Sequence, residues 1–218
     1  MIEIFDSGPD LADAASEAII ERLSRALGER GRASFVGTGG RSPGPVYDRL
    51  SRAEIDWAHV VVTLSDERQV DASSPSSNAG LLRERLLVGA AAQAQFLPLT
   101  DYAEGVLQRL LPFDAVILGM GEDGHIASLI PRSPVLAQAM DPQGRALTAE
   151  SPPGFGSPPV ARITLTLSAL LQSRAIFLLI SGEAKRQVIT EALAGADVPV
   201  RAILHQAQVP VRVFWTPN

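Results

Sequence analysis

Two residues in the stretch DAVILGMGEDGHIASLIP (114–131) have types and spacing suited to proton transfer: Asp123 and, two positions on, His125. Imidazole exchanges a proton near neutral pH, and a nearby carboxylate can orient such a ring or raise its basicity. The glycines ahead of them, Gly119, Gly121 and Gly124, satisfy G-x-G-x-x-G, the form of a dinucleotide fingerprint. The context fails it. Only HIASLI separates Gly124 from Pro131, too little for the helix that faces a pyrophosphate, and no strand-end acid follows some twenty residues on. The glycines read instead as a sharp turn that presents Asp123 and His125 at a strand end. With no cysteine in the chain, a thiol-linked acyl-enzyme is excluded. The base then acts on water or on the substrate.

Three further segments carry chemistry of a second kind, the holding of an anion. VGTGGRSPG (36–44) puts Gly39, Gly40, Arg41 and Ser42 after an apolar run. It is either an ordinary turn or a cradle whose N–H groups and Ser42 hydroxyl meet a phosphate. It lacks the Gly-Lys pair of a Walker loop. LSDERQV (64–70) offers the planar fork of Arg68, with Asp66 and Glu67 as neighbours able to fix it, against the plainer reading of a solvated turn. SGEAKRQVI holds Lys185, the sole lysine of a chain with 18 arginines.

These residues need a scaffold, and the composition bounds it. A chain of 218 residues with 46% hydrophobic content fills one large core, so a single domain over 1–218 is expected. The absence of cysteine excludes disulfides and thiolate metal sites. With only His59, His125 and His205 as imidazoles, no structural zinc is expected. A net charge of −5 disfavours nucleic acid, and any anionic ligand must be held by a local cationic site. The start MIEIFDSGPD has no basic n-region or long apolar run, and no window approaches a membrane span; a soluble, cytoplasmic protein with no membrane partner is expected.

Short apolar runs at 2–5, 33–37, 59–64, 114–119, 162–167, 175–180 and 211–215 alternate with helical patterns near 10–29, 44–53, 77–93, 101–110 and 183–194. This alternation predicts an α/β domain whose mostly parallel sheet is covered by helices on both faces. Ligands then bind at the carboxyl ends of the strands, where the four unusual loops collect into one cleft. Residues 131–160, rich in Pro, Gly and Ser, read as a long loop that partly covers it.

Together GGRSP (39–43), LSDERQV (64–70) with SN (77–78), LGMGEDGHIASLIP (118–131), RITLTL (162–167) and GEAK (182–185) resemble the 6-phosphogluconolactonase family, in order over nearly the whole chain. The resemblance implies a Rossmann-like three-layer α/β/α sandwich shared with glucosamine-6-phosphate deaminases. It also implies hydrolysis of 6-phosphoglucono-δ-lactone to 6-phosphogluconate in the oxidative pentose phosphate pathway. On it, His125 is the catalytic base and Asp123 its partner. Arg68 and Lys185 lie toward the phosphate, with Gly39, Gly40, Arg41, Ser42, Asp66, Asn78, Gly124 and Arg162 around the substrate. Arg41 departs from the family pattern, which continues with Ser or Thr after the glycine pair. No metal or organic cofactor is expected, the partner is the small-molecule substrate, and the assembly is a monomer or a weak homodimer. Two rivals are the deaminase branch, disfavoured by ASLIP after the histidine and by DER, and a sugar-phosphate sensor domain, for whose DNA-binding module the chain leaves no room.

Overall fold

The computed structural model describes residues 2–99 and 104–217. In chain order the strands are β1 (Ile2–Ile4), β2 (Ala33–Gly37), β3 (Val60–Leu64), β4 (Asp66–Arg68), β5 (Gln95–Phe96), β6 (Ala115–Leu118), β7 (Thr148–Ser151), β8 (Arg162–Leu165), β9 (Ile176–Ser181) and β10 (Val211–Thr216). The helices are α1 (Gly8–Arg30), α2 (Gly44–Leu50), α3 (Asn78–Arg85), α4 (Glu104–Gln108), α5 (Leu136–Ala139), α6 (Leu167–Leu170), α7 (Glu183–Leu193) and α8 (Val200–Leu204). The first three residues of the helix expected over 101–110 lie outside the described residues.

Seven strands form one sheet in the order β1-β10-β9-β6-β2-β3-β5, and every described pairing in it is parallel. The central strands are covered on both faces: β2 and β6 are buried along their whole length, as their unbroken apolar sequences require. From β2 the chain builds outward through β3 to β5, then returns to the other side of β2 with β6 and continues through β9 to β10. The reversal lies between β2 and β6. A crevice opens outside the carboxyl ends of strands at such a point.

The first long helix illustrates how local sequence sets the frame. Ser7 caps α1 by accepting from Asp10 N–H, Pro9 sits in its first turn, and Gly31, at φ 68°, closes it with an N–H bond to the Leu27 carbonyl. Leu11, Ile19 and Leu23 bury the face of α1 that packs on the sheet. Among the described residues no helix is long and apolar enough to cross a membrane.

One run belongs to a different layer from the one the alternation suggests. β8 joins β4 and β7 in a separate three-stranded antiparallel sheet. The expected strand at 162–167 therefore ends at Leu165, because Thr166 turns to cap α6, accepting from Ala169 N–H. The 131–160 segment is not structureless: it contributes α5 and β7.

Candidate active site

The four loops predicted to converge do so. Residues after β2 (Thr38–Pro43), after β3 (Asp66, Arg68), after β6 (Gly119–Gly121, His125) and after β9 (Lys185) line one cleft at the switch point, with Asn78, Arg162 and Ser157 closing its sides. Ser157 comes from the 131–160 segment, which thus forms part of the wall.

His125 and Asp123 stand together. Asp123 Oδ1 lies 2.5 Å from His125 Nδ1 and also accepts the His125 backbone N–H at 3.2 Å. A proton on Nδ1, shared with the carboxylate, leaves the Nε2 lone pair for a ligand. The turn is held by Gly121 N–H donating to the His125 carbonyl at 2.9 Å. A Cβ on Gly121 would collide with His125 Nδ1, so glycine there leaves room for the ring in this position. The histidine side chain is 25% exposed, enough to meet a ligand while its ring is still braced. Gly124, expected near the substrate, is not on the cleft wall; it is buried against Val198, and its carbonyl accepts from Val200 N–H.

The acids beside Arg68 do not hold its guanidinium, contrary to the expectation from sequence. Arg68 Nη1 donates to the Ser76 carbonyl at 2.8 Å. Glu67, on the opposite face of β4, is turned away and caps α3: it accepts from the backbone N–H groups of Arg68, Asn78 and Ala79 at 2.7–2.8 Å and from Ser77 Oγ at 3.2 Å. Asp66 faces the cleft side and accepts from Ser128 Oγ at 2.6 Å and Ser65 Oγ at 3.1 Å. Asn78 donates from Nδ2 to the Asp66 carbonyl at 2.8 Å. Its amide fills the space where a Cβ of Gly39 would stand, which explains the glycine. Arg162, 2% exposed, donates from Nη2 to the Pro158 carbonyl at 2.9 Å and from Nη1 to Ser128 Oγ at 3.3 Å.

Arg41 and Lys185 also line the cleft, close enough to each other to interact electrostatically. Burial holds the Lys185 ammonium below the ordinary lysine range; Glu122 opposes this and Arg41 adds to it. The loop carrying Arg41 is anchored at its root by Tyr47, whose hydroxyl donates to the Thr38 carbonyl at 2.7 Å and accepts from Thr38 N–H at 2.8 Å. The turn carrying Lys185 is anchored by β10: Trp215 Nε1 donates to the Gly182 carbonyl at 3.0 Å, and Gly182 N–H donates to the Thr216 carbonyl at 2.9 Å.

A family model described as Glucosamine-6-phosphate isomerases/6-phosphogluconolactonase matches residues 6–215. The chain belongs to this family. It is 41% identical to a 6-phosphogluconolactonase of Caulobacter vibrioides, over 98% of this chain and 96% of that one. Its fold superposes on the crystal structure of a 6-phosphogluconolactonase from Shewanella baltica with a TM-score of 0.90 and 38% identity, covering 99% of this chain and 97% of that chain. A monomeric glucosamine-6-phosphate deaminase shares the three-layer fold, with a TM-score of 0.76 at 19% identity over 99% of this chain and 96% of that chain.

In this member of the isomerase/lactonase family, sequence reasoning brought together nine of the cleft's residues, Gly39, Gly40, Arg41, Ser42, Asp66, Arg68, Asn78, Arg162 and Lys185, around His125. It missed Ser157 on the wall, and Ser128, which bonds Asp66 and Arg162. Ser128 was within reach of a sequence argument, lying three residues past His125, but its partner Asp66 is 62 positions away. Ser157 carried no local signal.

Proposed function

We propose that this chain hydrolyses 6-phosphoglucono-δ-lactone to 6-phosphogluconate, the second step of the oxidative pentose phosphate pathway, with His125 as general base. The observation that carries the reading is the His125–Asp123 pair, whose imidazole lines one cleft with Lys185, in a chain similar along its whole length to 6-phosphogluconolactonases.

The steps follow from the groups present. His125 Nε2 removes a proton from a water as its oxygen bonds to C1, while Asp123 steadies the imidazolium that forms. The tetrahedral oxyanion collapses, the bond from C1 to the ring oxygen breaks, and that oxygen takes the proton back from His125. The carboxylic acid produced ionises, so each turnover consumes one water and releases one proton. A δ-lactone is an activated ester, and positioning with a general base worth about 10²–10⁴-fold suffices without a covalent intermediate. Lys185, Arg41 and the Gly39–Ser42 loop receive the phosphate, which supplies remote binding energy that orients C1. A charged sugar phosphate does not cross membranes unaided, which supports a cytoplasmic site of action. The test is a lactonase assay on purified protein with spontaneous hydrolysis subtracted; a rate no greater than background would overturn the reading.

A further inference from the structure

Arg68 and Arg162 are directly opposite each other in the antiparallel pairing of β4 with β8. Opposite residues of such a pair point to the same face, so the two guanidinium groups rise side by side, on the face that also carries Asp66 and Thr164. Like charges in that position repel. The two line the cleft together, and each retains a buried Nε with no hydrogen-bond partner among the described residues. Burial and the neighbouring Arg68 both push Arg162 below the ordinary arginine range, with only Asp66 opposing them. That carboxylate, 3.9 Å from Arg162 Nη1, also serves Ser128. Two cations thus face one acid, leaving one positive charge unmatched on the cleft wall.

We infer that the Arg68–Arg162 pair receives the reacting end of the substrate, stabilising the oxyanion that forms on the C1 oxygen and then holding the carboxylate of the product. The inference rests on the lactonase reading and departs from the sequence expectation that put Arg68 with Lys185 on the phosphate. In the open-chain product the carboxylate at C1 and the phosphate at C6 sit at the two ends of the carbon chain, so a cationic cluster for each suits it. The cleft has two. Lys185 neighbours Arg41 and Glu122, whereas Arg68 neighbours Arg162, which in turn lies against Asp66 and Ser128. His125 lines the same cleft, on the loop that carries Glu122 of one cluster and Ser128 of the other. The exposed Arg41 and half-buried Lys185, at the start of the 11-residue α7, suit a dianion. The fixed fork with one unmatched charge suits a single negative charge that develops only as water attacks.

The experiment compares two lactones and one product analogue. Wild type, Arg68→Gln, Arg68→Lys and Lys185→Ala are assayed on 6-phosphogluconolactone and on unphosphorylated gluconolactone, and inhibition by gluconate, which has the carboxylate but no phosphate, is measured. Removing an oxyanion donor predicts that Arg68→Gln lowers kcat on both lactones by about 10²–10³-fold and weakens gluconate inhibition about tenfold or more. Lys185→Ala changes kcat/KM on the unphosphorylated lactone by less than about twofold, because its binding energy goes to the remote phosphate. Should gluconolactone turn over too slowly to read, the gluconate arm decides. If Arg68→Gln fails to fold, Arg68→Lys, which keeps the charge and loses the fork, must show the same loss in every arm. An Arg68 variant that impairs only the phosphorylated lactone and binds gluconate normally would overturn the inference. Wild-type protein that leaves the phosphorylated lactone at its background rate would sink the lactonase reading itself.

Discussion

Gly121 makes room for His125: a side-chain carbon on the glycine would lie against His125 Nδ1 and 2.5 Å from Asp123 Oδ1. The obstructed atoms are ends of side chains, which move at little cost to the fold. Gly121→Ala is therefore expected to keep wild-type thermal stability within about 1 kcal/mol while lowering kcat at least tenfold by turning the imidazole away. A variant that loses stability without losing kcat per folded molecule would show that the glycine serves packing and not the pair.

Replacing the base itself has a different signature. His125→Ala is expected to lower kcat by roughly two to four orders of magnitude with KM nearly unchanged, since a base acts in the transition state and not in ground-state binding. Retention of more than about a third of the wild-type kcat, with chemistry rate-limiting, would remove His125 from that role.

The Lys185 ammonium is held below its ordinary range by burial, with Arg41 contributing. Its charged form, the one that binds phosphate, is lost as pH rises, and the lowered value brings that loss to a less alkaline pH than for a free lysine. Binding of 6-phosphogluconate, followed by calorimetry, should weaken on the alkaline side for this reason. Arg41→Ala removes a like charge and should move the weakening to higher pH even as it lowers affinity overall. A shift to lower pH would contradict the arrangement of these charges.

Glu67 accepts three backbone N–H groups and a hydroxyl while almost wholly buried. Glu67→Ala leaves those donors unpaired at the start of α3, and a loss of about 2–4 kcal/mol in unfolding free energy is expected. Denaturant titration reads it directly. A change below about 0.5 kcal/mol would mean that water replaces the cap.

Among the described residues no three His, Asp or Glu side chains converge as a metal site. Lactone hydrolysis is expected to persist after exhaustive chelation, and glucosamine 6-phosphate is expected to release no ammonia, because Arg68 stands on the cleft wall where that chemistry would want an open, uncharged approach to the sugar. Activity that disappears with chelator and returns with metal would defeat the first expectation. Ammonia release comparable to lactone hydrolysis would defeat the second.

What the sequence revealed and what it hid divide along physical lines. β2, β3, β6 and β9 are largely buried apolar runs, β10 is buried from Val213 onward, and burial writes itself into residue type. β4 is Asp-Glu-Arg, three charged residues with no apolar alternation, and it is a strand only because β8 pairs with it. β7 lies inside a Pro, Gly and Ser-rich stretch for the same reason. The pattern read as one helix over 77–93 breaks after Arg85, and residues Gly89–Gln93 form a separate 3-10 turn where Gly89 takes φ 58°. At the site, Asp123 and His125 were legible because they are two positions apart. The roles of Asp66 and Glu67 were not, because their partners at 77–79 and 128 arrive through tertiary packing.

The bond from Trp215 to Gly182 gives the protein a built-in optical probe. Its indole is tied to the turn that starts α7, three residues before Lys185, and the Arg186 guanidinium lies 4.6 Å from the ring centroid. The other tryptophan, Trp57, is buried and bonded to the Ala53 carbonyl, away from the cleft. Trp57→Phe would leave a single emitting indole, whose fluorescence follows the arrival of an anion at Lys185 without any attached dye.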